Sequence, residues 1–315
     1  MRGGDFISNN KPQFNINEID SFLEKYFGEK VEALEVSSGG NLKQVYFFKY
    51  LDKKYVIRFS NIKDEFEVER FLHEKYAHQG LAIPRIIEVG ILNNTFFSIS
   101  EQAVGCTINT LDNSQFSTVI PSLIEAITKM HSVNLGDVKG YGWIDSSGNG
   151  LYESWYEYLV TFFKKEQNGF WNGWYDLFEN SFLEYDVFQE IYEKMLQLSK
   201  YCESERYLIH GDCHFGNIIS NTNLVTGIID WGNVMYGDFI FDIATIHMQF
   251  QSPKFNMKML FQEYYESKGI SVPNFRERFL CATYCKGLDS LRFFAKLGRK
   301  KSYDSVKDYL LSLDN

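Results

Sequence analysis

The sequence contains few of the residues that mark linkers, secretion or membrane insertion. Only 5 of its 315 residues are proline, so long disordered linkers are not expected. The cysteines number 5, without a C-x-x-C pair, which favours reduced thiols over a disulfide framework. No apolar run reaches the roughly 18 residues of a membrane span, and the N-terminal residues lack the apolar core of a signal peptide. We therefore expect a cytoplasmic protein without a membrane anchor.

The charge balance is acidic. Asp and Glu number 41 against 32 Lys and Arg, a net charge of -9. This argues against a nucleic-acid partner, which would require a basic surface, and it is compatible with a cationic small-molecule substrate. A hydrophobic content of 44% is sufficient for one large or two modest domains.

The most informative stretch is L-I-H-G-D-C-H-F-G-N-I-I at 208–219, followed by G-I-I-D-W at 227–231. Phosphoryl transfer requires a carboxylate near the attacking hydroxyl and oxygen ligands for Mg²⁺. The protein-kinase pattern H-R-D-x-x-x-x-N, followed by an Asp after a strand, has the same spacing. Asp212 is therefore the candidate base, and Asn217 and Asp230 are the candidate metal ligands.

The residues around this motif predict a β-hairpin. A tight turn at Gly211 exposes Asp212, a strand begins at Ile218, and the run 225–229 returns antiparallel to bring Asp230 beside Asn217. The alternative is a surface hairpin that happens to carry acids. We disfavour it because the His, the two Asp, the Asn and both apolar runs match together.

These segments resemble the aminoglycoside phosphotransferase family, whose motif is H-G-D-x-x-x-x-N followed by I-D-W or I-D-F. The continuation G-D-F-I-F-D-I-A at 237–244 is similar to the family's G-D-P-x-x-D-L-A, with Phe239 in place of Pro, and Phe215 likewise replaces a Pro. The resemblance extends from about Phe22 onward, and the hygromycin B phosphotransferase branch is the most similar. It implies transfer of the γ-phosphate of ATP or GTP, with Mg²⁺, to a hydroxyl of an aminoglycoside-like molecule.

The remaining patterns predict an α+β, protein-kinase-like bilobal fold. The nucleotide-binding lobe, residues 1–105, should be a small antiparallel β-sheet with one helix over 64–77. The catalytic and substrate-binding lobe, 106–315, should be mainly helical. Its only expected strands are the two that carry the catalytic motif. We expect a monomer.

Nucleotide contacts are predicted on three segments of the small lobe. The glycine pair in the loop between the first two strands lets backbone amides approach phosphates, although a plain hairpin turn is an equal alternative. Arg58 stands where kinases place the phosphate-binding Lys; the resemblance selects Glu69 as its partner, with Glu65 second. The hinge at 98–104 should contact the base through its backbone. The candidates for nucleotide binding are Ser38, Gly39, Gly40, Arg58, Glu69, Ser100 and Gln102.

The acceptor side is less defined. The aromatic segment 169–176 could form the floor of a sugar site, but a hydrophobic cluster is the favoured alternative. The acids that could contact ammonium groups are Asp176, Glu179, Asp238, Glu263, Glu266 and Asp289. His210 is included with Asp212 and Arg58 in the catalytic set, and we expect it to hold the catalytic loop rather than to move protons.

Two functional alternatives follow from the same residues. The motif also occurs in kinases for other small alcohols, including choline, sugars, macrolides and nucleoside antibiotics, and the fold alone cannot separate these. A non-catalytic nucleotide-binding scaffold is the second alternative, and Arg58 in place of Lys is its only support.

Overall fold

The computed structural model describes residues 11–37, 43–62, 64–202, 206–249 and 254–313. The small-lobe elements are α1 (Ile16–Phe27), β1 (Glu32–Val36), β2 (Gln44–Tyr50), β3 (Lys53–Ser60), α2 (Asp64–Tyr76), β4 (Ile86–Leu92) and β5 (Thr95–Glu101). The elements that follow are β6 (Cys106–Thr107), α3 (Asn113–His131), β7 (Tyr141–Ile144), β8 (Gly150–Tyr152), α4 (Trp155–Thr161), α5 (Leu177–Asn180), α6 (Tyr185–Ser199), β9 (Tyr207–Ile209), β10 (Ile218–Ser220), β11 (Val225–Ile228), β12 (Met235–Gly237), α7 (Ile240–Gln249), α8 (Met257–Ser267), α9 (Phe275–Lys296) and α10 (Lys300–Ser312).

The small lobe is one antiparallel sheet with the strand order β1-β2-β3-β5-β4. Alternate residues of the central strands face a core that includes Ile57, Phe59 and Ile99. Helix α1 packs Ile19 and Leu23 against the same core. The single helix α2 is inserted between β3 and β4, as the sequence predicts, so this part of the α+β prediction is confirmed.

The large lobe is mainly helical, with α3, α6 and α9 in its core. The expectation of only two strands in this lobe is wrong. The catalytic hairpin extends into a three-stranded sheet, β11-β10-β6, and a separate four-stranded sheet has the order β8-β7-β12-β9. The missed strands are two to four residues long, too short to show a period of two in the sequence.

Strand β6 connects the end of the small lobe to the catalytic hairpin. It pairs antiparallel with β10, with Thr107 opposite Ile219. The approach requires Gly105, whose φ is +119° and where a Cβ atom would lie 1.9 Å from the Ser220 carbonyl oxygen. The first residues after the small lobe are therefore packed directly on the strand that follows Asn217. No helix within the described ranges is long and apolar enough to cross a lipid bilayer.

Candidate active site

Asp212 lies on a tight turn between β9 and β10. Gly211 has φ +76°, and a Cβ atom there would lie 2.1 Å from the Asn233 carbonyl oxygen, so the turn requires glycine. The Asp212 side chain is one-third exposed, and its Oδ2 lies 3.8 Å from Nε2 of His214. Burial lowers the pKa of His214 below its usual value. The neighbouring imidazole is thus neutral near pH 7, and Asp212 is open to a reactant.

The carboxylate of Asp242 anchors this turn. This fully buried carboxylate accepts hydrogen bonds from the backbone amides of His210, at 2.7 Å, and Gly211, at 2.9 Å. The imidazole Nε2 of His210 lies 2.9 Å from the Ile229 carbonyl oxygen, so the ring joins the two strands of the motif. His210 is itself fully buried. This placement supports its expected positioning role and separates it from the reacting groups.

Asn217, just before β10, and Asp230, just after β11, are neighbours across the catalytic hairpin. The Ile229 amide donates to the Asn217 carbonyl at 2.9 Å, which places Asp230 next to Asn217. The Asn217 Nδ2 donates to the Asp212 carbonyl at 3.1 Å, which leaves Oδ1 as the atom that could bind a metal ion. Asp230 has φ +64° and a half-exposed side chain. A carboxylate and an amide oxygen fit Mg²⁺, which takes few protein ligands and adds phosphate oxygens and water.

The described residues contain no cluster of three or more His, Cys, Asp or Glu side chains suited to a metal ion.

Lys43 neutralises Asp230 and was not identified from the sequence. Its Nζ lies 2.6 Å from Asp230 Oδ1 and 3.2 Å from Glu65 Oε2. The ammonium group lowers the pKa of Asp230 to about 2, so this carboxylate is ionised at neutral pH. Glu65 is the second candidate partner of Arg58, but it contacts Lys43 instead. The available signal was the position of Lys43 immediately after the glycine-containing loop.

Arg58 forms its ion pair with Glu69. The guanidinium donates to both carboxylate oxygens, at 3.0 and 2.5 Å. It also lies 5.3 Å from the centre of the Phe66 ring. The backbone amide of Trp231, the residue after Asp230, donates to Glu69 Oε1 at 3.3 Å. Glu69 therefore connects the basic side chain of β3 to the segment that carries the candidate metal ligand.

The structure restricts two residues of the predicted hinge, Gln102 and Ser100. The backbone N–H of Gln102 is not free to contact a nucleotide base, because it donates to the Lys54 carbonyl at 2.9 Å. Ser100 is buried within β5 and is paired with Val56 on β3 and Ile86 on β4. The interior strand position of Ser100 also removes it from the exposed hinge. The glycine-loop candidates Ser38, Gly39 and Gly40 lie outside the described residues.

A cavity of about 280 Å³ lies beside the catalytic loop. One wall is formed by residues 214–216, which begin two positions after Asp212. The other walls come from the segment after β6, from the start of α3 and from the end of α7. The lining residues are uncharged apolar and polar side chains: Ile108, Asn109, Leu111, Asn113, Phe116, His214, Phe215, Gly216, Ile246 and Gln249.

The two tryptophans of the aromatic segment 169–176 do not offer a surface to a substrate. Trp171 and Trp174 are buried, with 3% and 1% of their surfaces exposed. The guanidinium of Arg292 lies 3.9 Å from the Trp171 ring centre and 5.1 Å from that of Trp174. The favoured alternative, a hydrophobic cluster, agrees with this burial, and Arg292 forms its charged centre.

Two of the candidate acids for ammonium contacts already have partners. Asp238 forms a buried ion pair with Arg278 at 2.6 Å, and Asp289 pairs with the buried Arg292 at 2.9 Å. The buried Asp238 carboxylate is not available to a ligand, whereas the Asp289 side chain is 27% exposed and contacts Arg292 through Oδ1 alone. The exposed candidates are Asp176, Glu179, Glu263 and Glu266.

Kinases transfer phosphate with a solvent-accessible carboxylate on a turn and with a second acid and an amide at the ends of the hairpin that follows. The present site has this arrangement. The fold and the site together define a phosphotransferase of the kinase-like class. Residues 33–294 match the model of the phosphotransferase enzyme family, and the chain belongs to that family.

Individual relatives agree with this assignment. Hygromycin-B 4-O-kinase of Escherichia coli is 24% identical over 237 residues, which cover 75% of this chain and 67% of that protein. A thermostable mutant of aminoglycoside phosphotransferase APH(4)-Ia, in a ternary complex with ADP and hygromycin B, has a TM-score of 0.79 at 20% identity and covers 94% of this chain and 97% of its own. Choline kinase LicA from Streptococcus pneumoniae has a TM-score of 0.61 at 15% identity, covering 94% and 99%. These likenesses confirm the kinase-like fold.

Proposed function

We propose that this protein transfers the γ-phosphoryl group of a nucleoside triphosphate to a hydroxyl of an aminoglycoside-like antibiotic. The observation that carries the proposal is the position of Asp212. Its carboxylate is one-third exposed on a turn that Asp242 anchors through two backbone amides, and the residues two to four positions later form a wall of the neighbouring cavity. An acceptor in that cavity would present a hydroxyl to Asp212, which orients it and accepts its proton.

The donor side is assigned to the groups around Asp230. Asn217 and Asp230 are the proposed ligands of Mg²⁺, which neutralises charge on the phosphates when bound. Arg58 supplies a fixed positive charge toward the phosphates, and Glu69 orients its guanidinium. His210 keeps the two strands of the motif in register. We propose that the enzyme acts as a monomer.

The base of the nucleotide is assigned to the hinge beyond Gln102. Because the Gln102 amide is already bonded to Lys54, backbone groups at Ala103 and Val104 are the proposed contacts. Backbone groups can bind either adenine or guanine, so both ATP and GTP are proposed donors. The reaction consumes a cytoplasmic metabolite, and we expect the protein to act in that compartment.

The relatives and the charge support the choice of acceptor. The E. coli relative is a hygromycin-B kinase, and the net charge of -9 favours a polycation. The uncharged cavity would hold the hydroxylated ring that reacts. A kinase for another small alcohol, such as choline, a sugar, a macrolide or a nucleoside antibiotic, is the alternative, and a non-catalytic scaffold is the second.

A direct screen tests the proposal. The purified protein is incubated with ATP or GTP, Mg²⁺ and one acceptor at a time: hygromycin B, spectinomycin, other aminoglycosides, a macrolide or choline. Mass spectrometry then detects the addition of one phosphoryl group. We expect an aminoglycoside to be the best acceptor. Phosphorylation of choline or a macrolide alone would select the alternative kinase, and nucleotide binding without any product would select the scaffold.

A further inference from the structure

Lys43 is a buried cation between two acids from different parts of the chain. Its side chain is 12% exposed, and its Nζ contacts Glu65 Oε2 on α2 and Asp230 Oδ1 after β11. The nearest aromatic ring, that of Phe66, is centred 5.8 Å away. Lys43 is therefore the residue of the small lobe that directly contacts the candidate metal ligand of the large lobe.

The two basic residues of the site have separate acidic partners. Arg58 is bound at both terminal nitrogens by Glu69, so it does not compete for the acids around Lys43. Glu65 is anchored by a 3.0 Å hydrogen bond from the hydroxyl of Ser60. Lys43 would therefore keep Glu65 as a carboxylate partner if Asp230 bound another cation.

The contact between Lys43 and Asp230 is incompatible with full coordination of Mg²⁺ by the same carboxylate. At 2.6 Å the ammonium group occupies Oδ1, and a divalent ion near it would be repelled by the Lys43 charge. An ion that binds through both carboxylate oxygens must therefore displace the ammonium group from Oδ1. Because Mg²⁺ reaches the site with the nucleotide phosphates, the displaced ammonium group would meet a new anionic partner within the same cleft.

We propose that Lys43 is a nucleotide-phosphate ligand that serves as the counterion of Asp230 until the nucleotide binds. Binding of Mg²⁺ with the nucleotide exchanges the Lys43–Asp230 contact for a metal–Asp230 contact and a Lys43–phosphate contact, while Glu65 retains the lysine. This inference rests on the proposed function in one respect, the assignment of Asp230 as a metal ligand. It predicts that Lys43 opposes metal binding alone but favours binding of the complete Mg²⁺–nucleotide.

Two binding measurements with opposite expected signs test this exchange. Mn²⁺ binding without nucleotide is followed by electron paramagnetic resonance, and Mg²⁺–ATP or Mg²⁺–GTP binding by calorimetry. Lys43→Met should bind Mn²⁺ roughly tenfold more tightly, because the competing charge is gone. It should bind the Mg²⁺–nucleotide roughly tenfold more weakly, because a charge-assisted hydrogen bond is lost. Lys43→Arg, which keeps the charge, should stay near wild type in the nucleotide measurement.

Lys49→Met is the matched control, since Lys49 is an exposed lysine on β2 and its removal should change neither constant. Lys43→Gln repeats the test if Lys43→Met does not fold. A purely structural role for Lys43 would weaken both kinds of binding together, and that result would overturn the exchange. Two unchanged constants would overturn it as well.

Asp230→Ala separates failure of the exchange from failure of the metal assignment. If this variant binds Mn²⁺ like wild type, Asp230 is not a metal ligand, and the exchange falls with that assignment. If it loses Mn²⁺ while Lys43→Met behaves like Lys49→Met, the metal assignment stands and only the role of Lys43 is refuted.

Discussion

Glu69 binds both terminal nitrogens of Arg58, at 3.0 and 2.5 Å. The same carboxylate accepts a hydrogen bond from the amide of Trp231, next to Asp230. The basic side chain proposed to bind the phosphates and the segment that carries the proposed metal ligand therefore share one buried anchor, Glu69. The position of Asp230 should respond to changes at Arg58 even though the two side chains belong to different lobes.

We expect Arg58→Lys to retain much of the activity and Arg58→Ala to lose it. A positive charge near the phosphates is the requirement, and lysine supplies it without the bidentate geometry. We expect kcat/KM to fall by less than about tenfold for the lysine variant and by about a hundredfold or more for alanine. Steady-state kinetics with varied nucleotide measure both.

Arg58→Ala also leaves Glu69 as an unpaired buried charge, which costs about 3–5 kcal/mol of stability. A thermal melt must therefore accompany the kinetics, and Glu69→Gln with Arg58→Ala restores charge balance as a control. Wild-type activity in a folded Arg58→Ala protein would show that Arg58 does not act on the phosphates.

Asp230→Ala and Asn217→Ala should both weaken Mg²⁺-dependent nucleotide binding, with Asp230→Ala the more severe. A carboxylate is a stronger ligand for a hard cation than an amide oxygen. Calorimetric titrations of nucleotide at several Mg²⁺ concentrations provide the comparison. If the Mg²⁺ dependence of Asp230→Ala matches that of wild type, the metal site lies elsewhere.

Truncation of Trp174 should destabilise the protein rather than alter the acceptor site. Its ring is 1% exposed and its Nε1 donates to the Lys164 carbonyl at 2.9 Å, so Trp174→Ala should cost about 3–5 kcal/mol. Denaturant unfolding measures this loss, with the exposed Tyr156→Ala as a control of near-zero effect. A rise in acceptor KM without a loss of stability would show instead that the aromatic segment belongs to the acceptor site.

The KM of the acceptor should rise with ionic strength, while that of the nucleotide changes less. A polycation drawn by the net charge of -9 is steered by a field that salt screens, with a Debye length of about 10 Å at roughly 0.1 M. Kinetics at several salt concentrations test this. A best acceptor that is neutral or anionic, or two KM values that ignore salt, would refute the cationic acceptor but not the phosphotransferase.

The sequence brings the candidate catalytic groups together because Asn217 and Asp230 flank one hairpin and Asp212 lies on the turn just before it. Their spacing follows from local backbone geometry, and glycine at 211 and the apolar strands are visible in a short window. The Arg58–Glu69 pair could also be predicted from the sequence, since α2 follows β3 directly. Contacts of this kind depend on neighbouring elements rather than on the whole fold.

Lys43 was missed because its two partners lie in other elements. Glu65 is 22 residues away and Asp230 is 187 residues away, and no periodicity links them. The engagement of the Gln102 backbone amide with Lys54 was not predicted, for a similar reason. Which backbone amides remain available depends on the register between β3 and β5, and register is set by pairing across the sheet.

Asp212→Asn is the most direct test of phosphoryl transfer to an acceptor hydroxyl. The variant removes the proposed base but keeps the shape of the side chain, and residues 214–216, two to four positions after Asp212, line the proposed acceptor cavity. With hygromycin B as the first acceptor, single-turnover assays measure transfer, and calorimetry measures nucleotide affinity. We predict that kcat falls by about 10²–10⁴-fold while the nucleotide Kd remains near that of wild type. A fall in kcat of less than about tenfold would contradict the assignment of Asp212 as the catalytic base.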